Sequence, residues 1–305
     1  MKPGNILARW SLLLLVILFG YSFCDIAYQG NWQRSQVIEW DSREYYQILP
    51  ATFIHQDPGY GFLEELPKEE ADRYWVHSSP SGKPIGRMSL GMGIMLAPLF
   101  LLAHILAPVF GYAADGFSPP YHLSVLLTGW MYALIGFIVL YKLLIRYFRE
   151  GAVLMTIAFL YAGTNLYYYT TTEGGFTHAP LFGLFSVFLY CTVSWHESSK
   201  LKYAVWLAVA GGLIVLIRPT NIIIGLVFLA YGVYNKQTLK ANIQLFKARW
   251  KHFAVMFIIL LGIALPQLIY WKLQTGQWVY YSYTKEGFYF NDPHIIDGLF
   301  SWRKG

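Results

Sequence analysis

The sequence predicts an all-α polytopic membrane protein with a core of about seven crossings, and three observations carry that prediction. Hydrophobic residues make up 56% of the 305 and charged residues 13%, about half the charged share that a water-facing surface requires. The apolar residues fall in runs of membrane-spanning length, with Gly and Pro scattered through them as bilayer helices tolerate. The lysines and arginines stand in short clusters beside those runs and form no single stripe. The net charge of +6 therefore reads as topology, and no nucleic-acid partner is expected.

Apolar runs occupy residues 6–24, 89–110, 120–148, 152–170, 177–195, 203–217, 221–234 and 253–272. Each should be helical, because an isolated strand cannot satisfy its backbone in lipid. The first follows Lys2 and precedes no Ala-x-Ala cleavage site, the pattern of a retained anchor. Positive residues mark the cytoplasmic side, so Lys142, Arg146 and Arg149, then Lys200 and Lys202, then the cluster at 236–251 should all lie with Lys2 and Arg9. That parity makes 89–110 a re-entrant or juxtamembrane helix on the outer side, as Pro98, Pro108 and the small Gly91-Met92-Gly93 start suit. The other seven runs cross, with outer hairpin tips at Glu173 and at Arg218-Pro219-Thr220-Asn221.

The expected organisation is a transmembrane module over residues 1–272, with a first outer loop at 25–119, followed by an outer segment at 273–305. That segment stops without a closing helix, so the chain is expected to be part of a longer protein. Cys24 and Cys191 both lie in apolar segments, as small buried hydrophobes do, and no disulfide is expected. Tyrosines and tryptophans such as Tyr167-Tyr168-Tyr169 cluster at the interfaces of this topology as an aromatic belt. Gly91-x-Gly93 follows no strand and opens no dinucleotide-binding unit.

Acidic residues fall almost wholly on the outer side, so chemistry is sought there. The first outer loop carries Trp40-Asp41-Ser42-Arg43-Glu44-Tyr45-Tyr46-Gln47-Ile48-Leu49-Pro50-Ala51, the start of a short amphipathic helix on which Asp41 makes a good N-cap. Arg218 interrupts the apolar stretch 203–234. A guanidinium near membrane depth is expensive unless paired, so it either clamps a phosphate or carboxylate, with Asn221 beside it, or snorkels to the outer interface. Lys83 and Arg87 precede the juxtamembrane helix as phosphate ligands or as membrane-surface charges. His178 opens a helix as a cap, or binds a phosphate or metal. His55 and Asp57 read as ordinary loop residues.

With this first-loop motif go residues 93–104, which end Pro98-Leu99-Phe100-Leu101-Leu102-Ala103-His104, and the turn Ala114-Asp115-Gly116-Phe117-Ser118-Pro119-Pro120-Tyr121. Together they resemble the C-type (GT-C) superfamily of integral-membrane glycosyltransferases, the group of protein O-mannosyltransferases and lipid A aminoarabinose transferases, and a bacterial branch of it most closely. The resemblance implies seven crossings with amphipathic helices in the first outer loop, the arrangement that the charges predict independently. It puts Asp41 in the place of the superfamily's catalytic aspartate and Glu173 at the loop where relatives often carry a second acid; a solvated loop charge is the alternative for Glu173. Ser42 stands where better-known members often have a second acidic residue, which puts a two-carboxylate metal site in that loop in doubt. Convergence of Asp41 and Glu173 would favour a divalent cation bridging donor phosphates.

The resemblance thus implies transfer of a sugar, hexosyl or pentosyl, from a polyprenyl-phosphate donor to a glycan, lipid or protein acceptor. The site would face outward from a bacterial cytoplasmic (inner) membrane, with Asp41 and Glu173 catalytic and Arg218, Lys83, Arg87, Asn221 and His178 binding substrate. The alternative is a transporter or flippase for a lipid-linked saccharide, which would more naturally show two related halves and charges along a through-path.

Overall fold

The computed structural model describes residues 8–282 together with 293, 295 and 300. Lys2 and, from residue 283 on, most of the expected outer segment 273–305 lie outside the described residues. Helix α1 (Ala8–Gln29) leads into the first loop. There the chain forms two short helices, α2 (Trp40–Tyr46) and α3 (Ile48–Phe53), a 3-10 turn (Gly61–Glu64), one helical turn α4 (Lys68–Ala71), and an antiparallel pair β1 (Val76–Ser78) and β2 (Pro84–Gly86). Then come α5 (Leu90–Val109), α6 (Pro119–Leu144), α7 (Glu150–Ala162), α8 (Leu166–Thr171), α9 (His178–Ser198) and α10 (Leu201–Ile217). A 3-10 turn (Pro219–Ile223) and α11 (Ile224–Ala230) return toward α12 (Lys236–Ala248), and α13 (Trp250–Thr275) follows.

The expected all-α architecture is present, with a single two-stranded hairpin as its exception among the described residues. Among the described residues five helices are long and apolar enough to cross a membrane: α1 from Trp10, α5, α6, α9 and α13. Four of these are expected crossings. The other three expected crossings appear as shorter apolar helices. The run at 152–170 breaks at Gly163, Thr164 and Asn165 into α7 and α8, α10 has 17 residues, and the return from Arg218 splits into a 3-10 turn and the seven-residue α11.

Contacts sort the helix termini into two ends. At one, Ser11 donates to Glu150, Arg146 pairs with Glu197 at 3.1 Å, and the Trp195 indole N–H donates to His252 at 3.0 Å. This end carries the basic clusters, as the charge rule requires. At the other, Tyr167 donates to Asp25 at 2.6 Å, and Thr172 donates to Gln29 at 3.2 Å. Here α1, α9, α10 and α13 present their opposite termini as a polar rim.

Length and hydropathy would let α5 cross, yet it touches the rim along its length. Ser89 just before it donates to the Leu216 carbonyl, the Leu90 N–H donates to Gln267 at 2.7 Å, and Phe100 and His104 pack on Tyr121 in the first turn of α6. Those contacts tie α5 to the C-terminal ends of α10 and α13 and to the first turn of α6. Its interior prolines, Pro98 and Pro108, are tolerated where neighbouring elements pack around the freed carbonyls.

Helix α6 is the central post, and its 26 residues give it about 39 Å. Small residues let its neighbours approach closely, as membrane helices without a hydrophobic driving force require. A methyl on Gly136 would meet the Gly183 Cα on α9 at 2.9 Å, and one on Gly129 would meet the Gly174 Cα at 2.8 Å. Trp130 fastens α1 by donating to the Phe19 carbonyl and to Ser22, both at 3.1 Å. Cys191 is buried, whereas Cys24 faces outward from α1, so the expected buried role holds for one of the two. Both are free thiols.

Candidate functional site

The candidate site grows from the seating of α2 on the rim. The chain enters α2 through Trp40, which adopts φ 49°, a conformation rare and costly for a bulky residue. This left-handed entry starts the helix two residues earlier than expected, with Glu39 at the cap position and no side-chain cap bond. Asp41 is therefore not the N-cap that its sequence position suggests. It lies in the exposed first turn, and no hydrogen bond occupies its carboxylate among the described residues. The opposite face of α2, with Ser42, Glu44, Tyr45 and Tyr46, is buried.

Three anchors fix that seat. His122, buried near the start of α6, accepts the backbone N–H groups of Val37 and Ile38 at 3.2 Å each through Nδ1, which holds the strand entering α2. Gln47 exchanges two bonds with the Trp75 backbone, at 2.9 and 2.6 Å. Tyr46 donates to the Gly116 carbonyl. Gly116 belongs to a turn in which Asp115 Oδ1 accepts from Phe117 and Ser118 N–H at 2.9 and 2.8 Å, and Arg73 pairs with the same carboxylate at 3.2 Å. With φ 83°, and with a methyl there due to meet the Pro50 Cβ at 2.8 Å, position 116 requires glycine. The two sequence motifs, around Asp41 and around Asp115, are thus two sides of one contact.

The loop between α8 and α9 closes against this helix. Gly175 lies on Ser42, so that a methyl on it would come within 2.8 Å of the Ser42 Cβ and 2.9 Å of Val125 Cγ1. Glu173, two residues earlier, is half-buried and accepts from the Tyr168 hydroxyl at 3.3 Å. Burial raises the Glu173 pKa; the Tyr168 hydrogen bond offsets part of that rise, and the charge of Glu39 adds to it. The rise from Glu39 puts the segment before Asp41 within electrostatic range of Glu173. The Ser42–Gly175 contact thus brings together the helix that carries Asp41 and the loop that carries Glu173.

On the next side of the rim, His178 opens α9, packs edge-on against Tyr169 at 3.8 Å, and lies within electrostatic range of the Arg218 guanidinium. Arg218 is exposed and makes no ion pair among the described residues. Asn221 is half-buried, and its backbone N–H donates to the Arg218 carbonyl at 2.9 Å, which shapes the turn. His178 also lines a groove of about 530 Å³ between α7, α8 and α9, opened by the helix break at Gly163.

The remaining expected ligands stand differently. Arg87 pairs with buried Glu44 at 3.7 Å beneath α2, so the Glu44 carboxylate faces a guanidinium. Lys83 donates to the Leu273 carbonyl at 3.1 Å, and Ser79 donates to the Gln274 carbonyl at 2.8 Å. These bonds satisfy carbonyls at the end of α13, which commits Lys83 to a cap. His55 stacks on Phe62 at 3.9 Å and Asp57 caps its own turn, as loop residues do. Among the described residues no three acidic, His or Cys side chains converge as metal ligands. Sequence reasoning missed His122, Gln47 and Asp115 as positioning groups.

The helices and this rim define the class: a polytopic all-α membrane protein that gathers carboxylates and a guanidinium at one end of its bundle. Residues 120–271 match the family described as dolichyl-phosphate-mannose-protein mannosyltransferase. On that match the chain belongs to the C-type (GT-C) integral-membrane glycosyltransferase superfamily, the group its first-loop motif resembles. No curated protein and no solved structure matches the chain.

Proposed function

We propose that the chain transfers a sugar from a polyprenyl-phosphate donor to an acceptor hydroxyl at the outer face of the membrane, with Asp41 as general base. The observation that supports this reading is the exposed Asp41 carboxylate on the first turn of α2, a helix whose Ser42 packs on the Gly175 of the Glu173 loop. Asp41 takes the proton of the acceptor hydroxyl as its oxygen attacks the anomeric carbon. The bond from that carbon to the donor phosphate breaks, and the phosphate leaves on its lipid. Arg218 neutralises the leaving phosphate, with His178 and Asn221 beside it. Glu173, whose burial favours its protonated form, acts as a secondary acid toward the phosphate oxygens. Arg87 and Lys83 serve binding through Glu44 and through the end of α13. No step needs a metal ligand set.

The test is cleavage of a polyprenyl-phosphate sugar by the purified full chain in proteoliposomes. Asp41→Asn should abolish release of lipid phosphate while leaving insertion and thermal unfolding unchanged. A near-normal rate in that variant removes the mechanism. Movement of intact donor across the bilayer without cleavage, in the unaltered chain, would make it a flippase instead.

A further inference from the structure

The opposite end of the bundle carries a second functional surface, on α12. Its sequence Lys-Gln-Thr-Leu-Lys-Ala-Asn-Ile-Gln-Leu-Phe-Lys-Ala divides, at 100° per residue, into adjoining sectors. One is packed inward: Asn242 donates to the Leu229 carbonyl at 2.9 Å, and Phe246 packs on Trp195, Phe228 and Phe253. The next holds Leu239 and Ile243, 46% and 45% exposed. Lys236, Lys240 and Lys247 come next, within about 40° of one another, and all three are exposed. The last sector is neutral, with Gln237 and Gln244. Around the helix the order is therefore protein core, exposed apolar strip, cationic strip, neutral polar strip.

That order is the cross-section of a bilayer surface seen by a helix lying in its plane. Neighbouring elements hold α12 at the right level. It follows α11, it leads directly into the membrane-length α13 at Trp250, itself 62% exposed, and an Asn235 capping box fixes its first turn. Charge alone would draw a soluble anion, but the exposed apolar strip of Leu239 and Ile243 adjoining the lysines needs an apolar cover as well. A leaflet covers them and puts its phosphates at the height of the lysines.

We propose that α12 is an in-plane helix whose Lys236, Lys240 and Lys247 bind the phosphates of anionic lipid headgroups at the basic end of the bundle. The proposal rests on the membrane architecture and is independent of the transfer reaction. Native mass spectrometry of the detergent-solubilised full chain, titrated with phosphatidylglycerol and with phosphatidylcholine, tests it. The expected result is preferential retention of phosphatidylglycerol. Each Lys→Gln change should weaken it about fivefold and the triple change about a hundredfold, while Lys200→Gln with Lys202→Gln leaves it near the starting value. Equal retention of the two lipids, a triple variant that binds as the unaltered chain does, or an equal loss in the Lys200/Lys202 control would each overturn it. Displacement by millimolar inorganic phosphate would overturn it too, by making the strip a site for a soluble anion.

Discussion

The contact between Gly175 and Ser42 makes the sharpest prediction, because it joins the helix that carries Asp41 to the loop that carries Glu173. Gly175→Ala would put a methyl 2.8 Å from the Ser42 Cβ and 2.9 Å from Val125 Cγ1, where carbon atoms rest at about 3.5–4.0 Å. The first turn of α2 and the Glu173 loop must then part by roughly 0.7–1 Å, since a Cβ cannot rotate out of the way. Overpacking of this kind costs about 1–3 kcal/mol of stability. A displacement of about 1 Å at reacting groups costs on the order of a hundredfold in rate. Donor cleavage by Gly175→Ala should therefore fall tenfold to a hundredfold at a temperature where the protein remains folded. Ser42→Gly removes the serine side of the clash and leaves the one with Val125 Cγ1, so the double variant should regain part of the lost rate. Gly151→Ala is the control, with nothing within 4 Å of the added methyl. A full rate in Gly175→Ala, or a double variant as slow as the single one, would refute the idea that this contact sets the spacing of the carboxylates.

Three further outcomes follow from the same geometry. Arg218→Gln should lower kcat/KM for the lipid-phosphate donor about tenfold to a hundredfold with an unchanged unfolding midpoint, because no ion pair among the described residues depends on it; steady-state kinetics beside a thermal melt reads both. His122→Ala should cost about 1–3 kcal/mol for each N–H left unpaired, since Val37 and Ile38 both donate to it, and protease cleavage near residue 36 in proteoliposomes should rise accordingly. Glu173 binds its proton more tightly folded than unfolded, so its contribution to stability is present at acid pH and lost as the pH rises from the ordinary 4.5 through its folded value. Glu39→Gln removes the like charge and should shift the end of that window toward acid, measured as the difference in melting profile between Glu39→Gln and its pair with Glu173→Gln.

The parts that were legible in the sequence are those written in composition and charge. The placement of Lys142, Lys200 and the 236–251 cluster at one end of the bundle followed from their sign. The break in 152–170 had a local signal in Gly163-Thr164-Asn165, which apolarity on either side masked. The hairpin of β1 and β2 likewise had its turn signal in Pro80-Ser81-Gly82-Lys83, and reading Lys83 as a phosphate ligand hid its part in capping α13. His122 was not legible, since a lone histidine near a helix start carries no mark of accepting two N–H groups 84 and 85 residues away. Nor was the entry of α2 through a left-handed Trp40, because tertiary contacts set that conformation against the residue's own preference. Asp115-Gly116 announced a turn, but its tie to Tyr46 is visible only in three dimensions.

The account depends on the Asp41 rim and the basic end facing opposite sides of the membrane. In a Cys24→Ser, Cys191→Ser background, single cysteines replacing the exposed Gln36 and Gln244 can be tested in intact cells with a membrane-impermeant maleimide. Position 36 should react from outside, and position 244 only after the membrane is opened. Reaction of both from the same side, or of 244 alone from outside, would contradict the arrangement on which the chemistry rests.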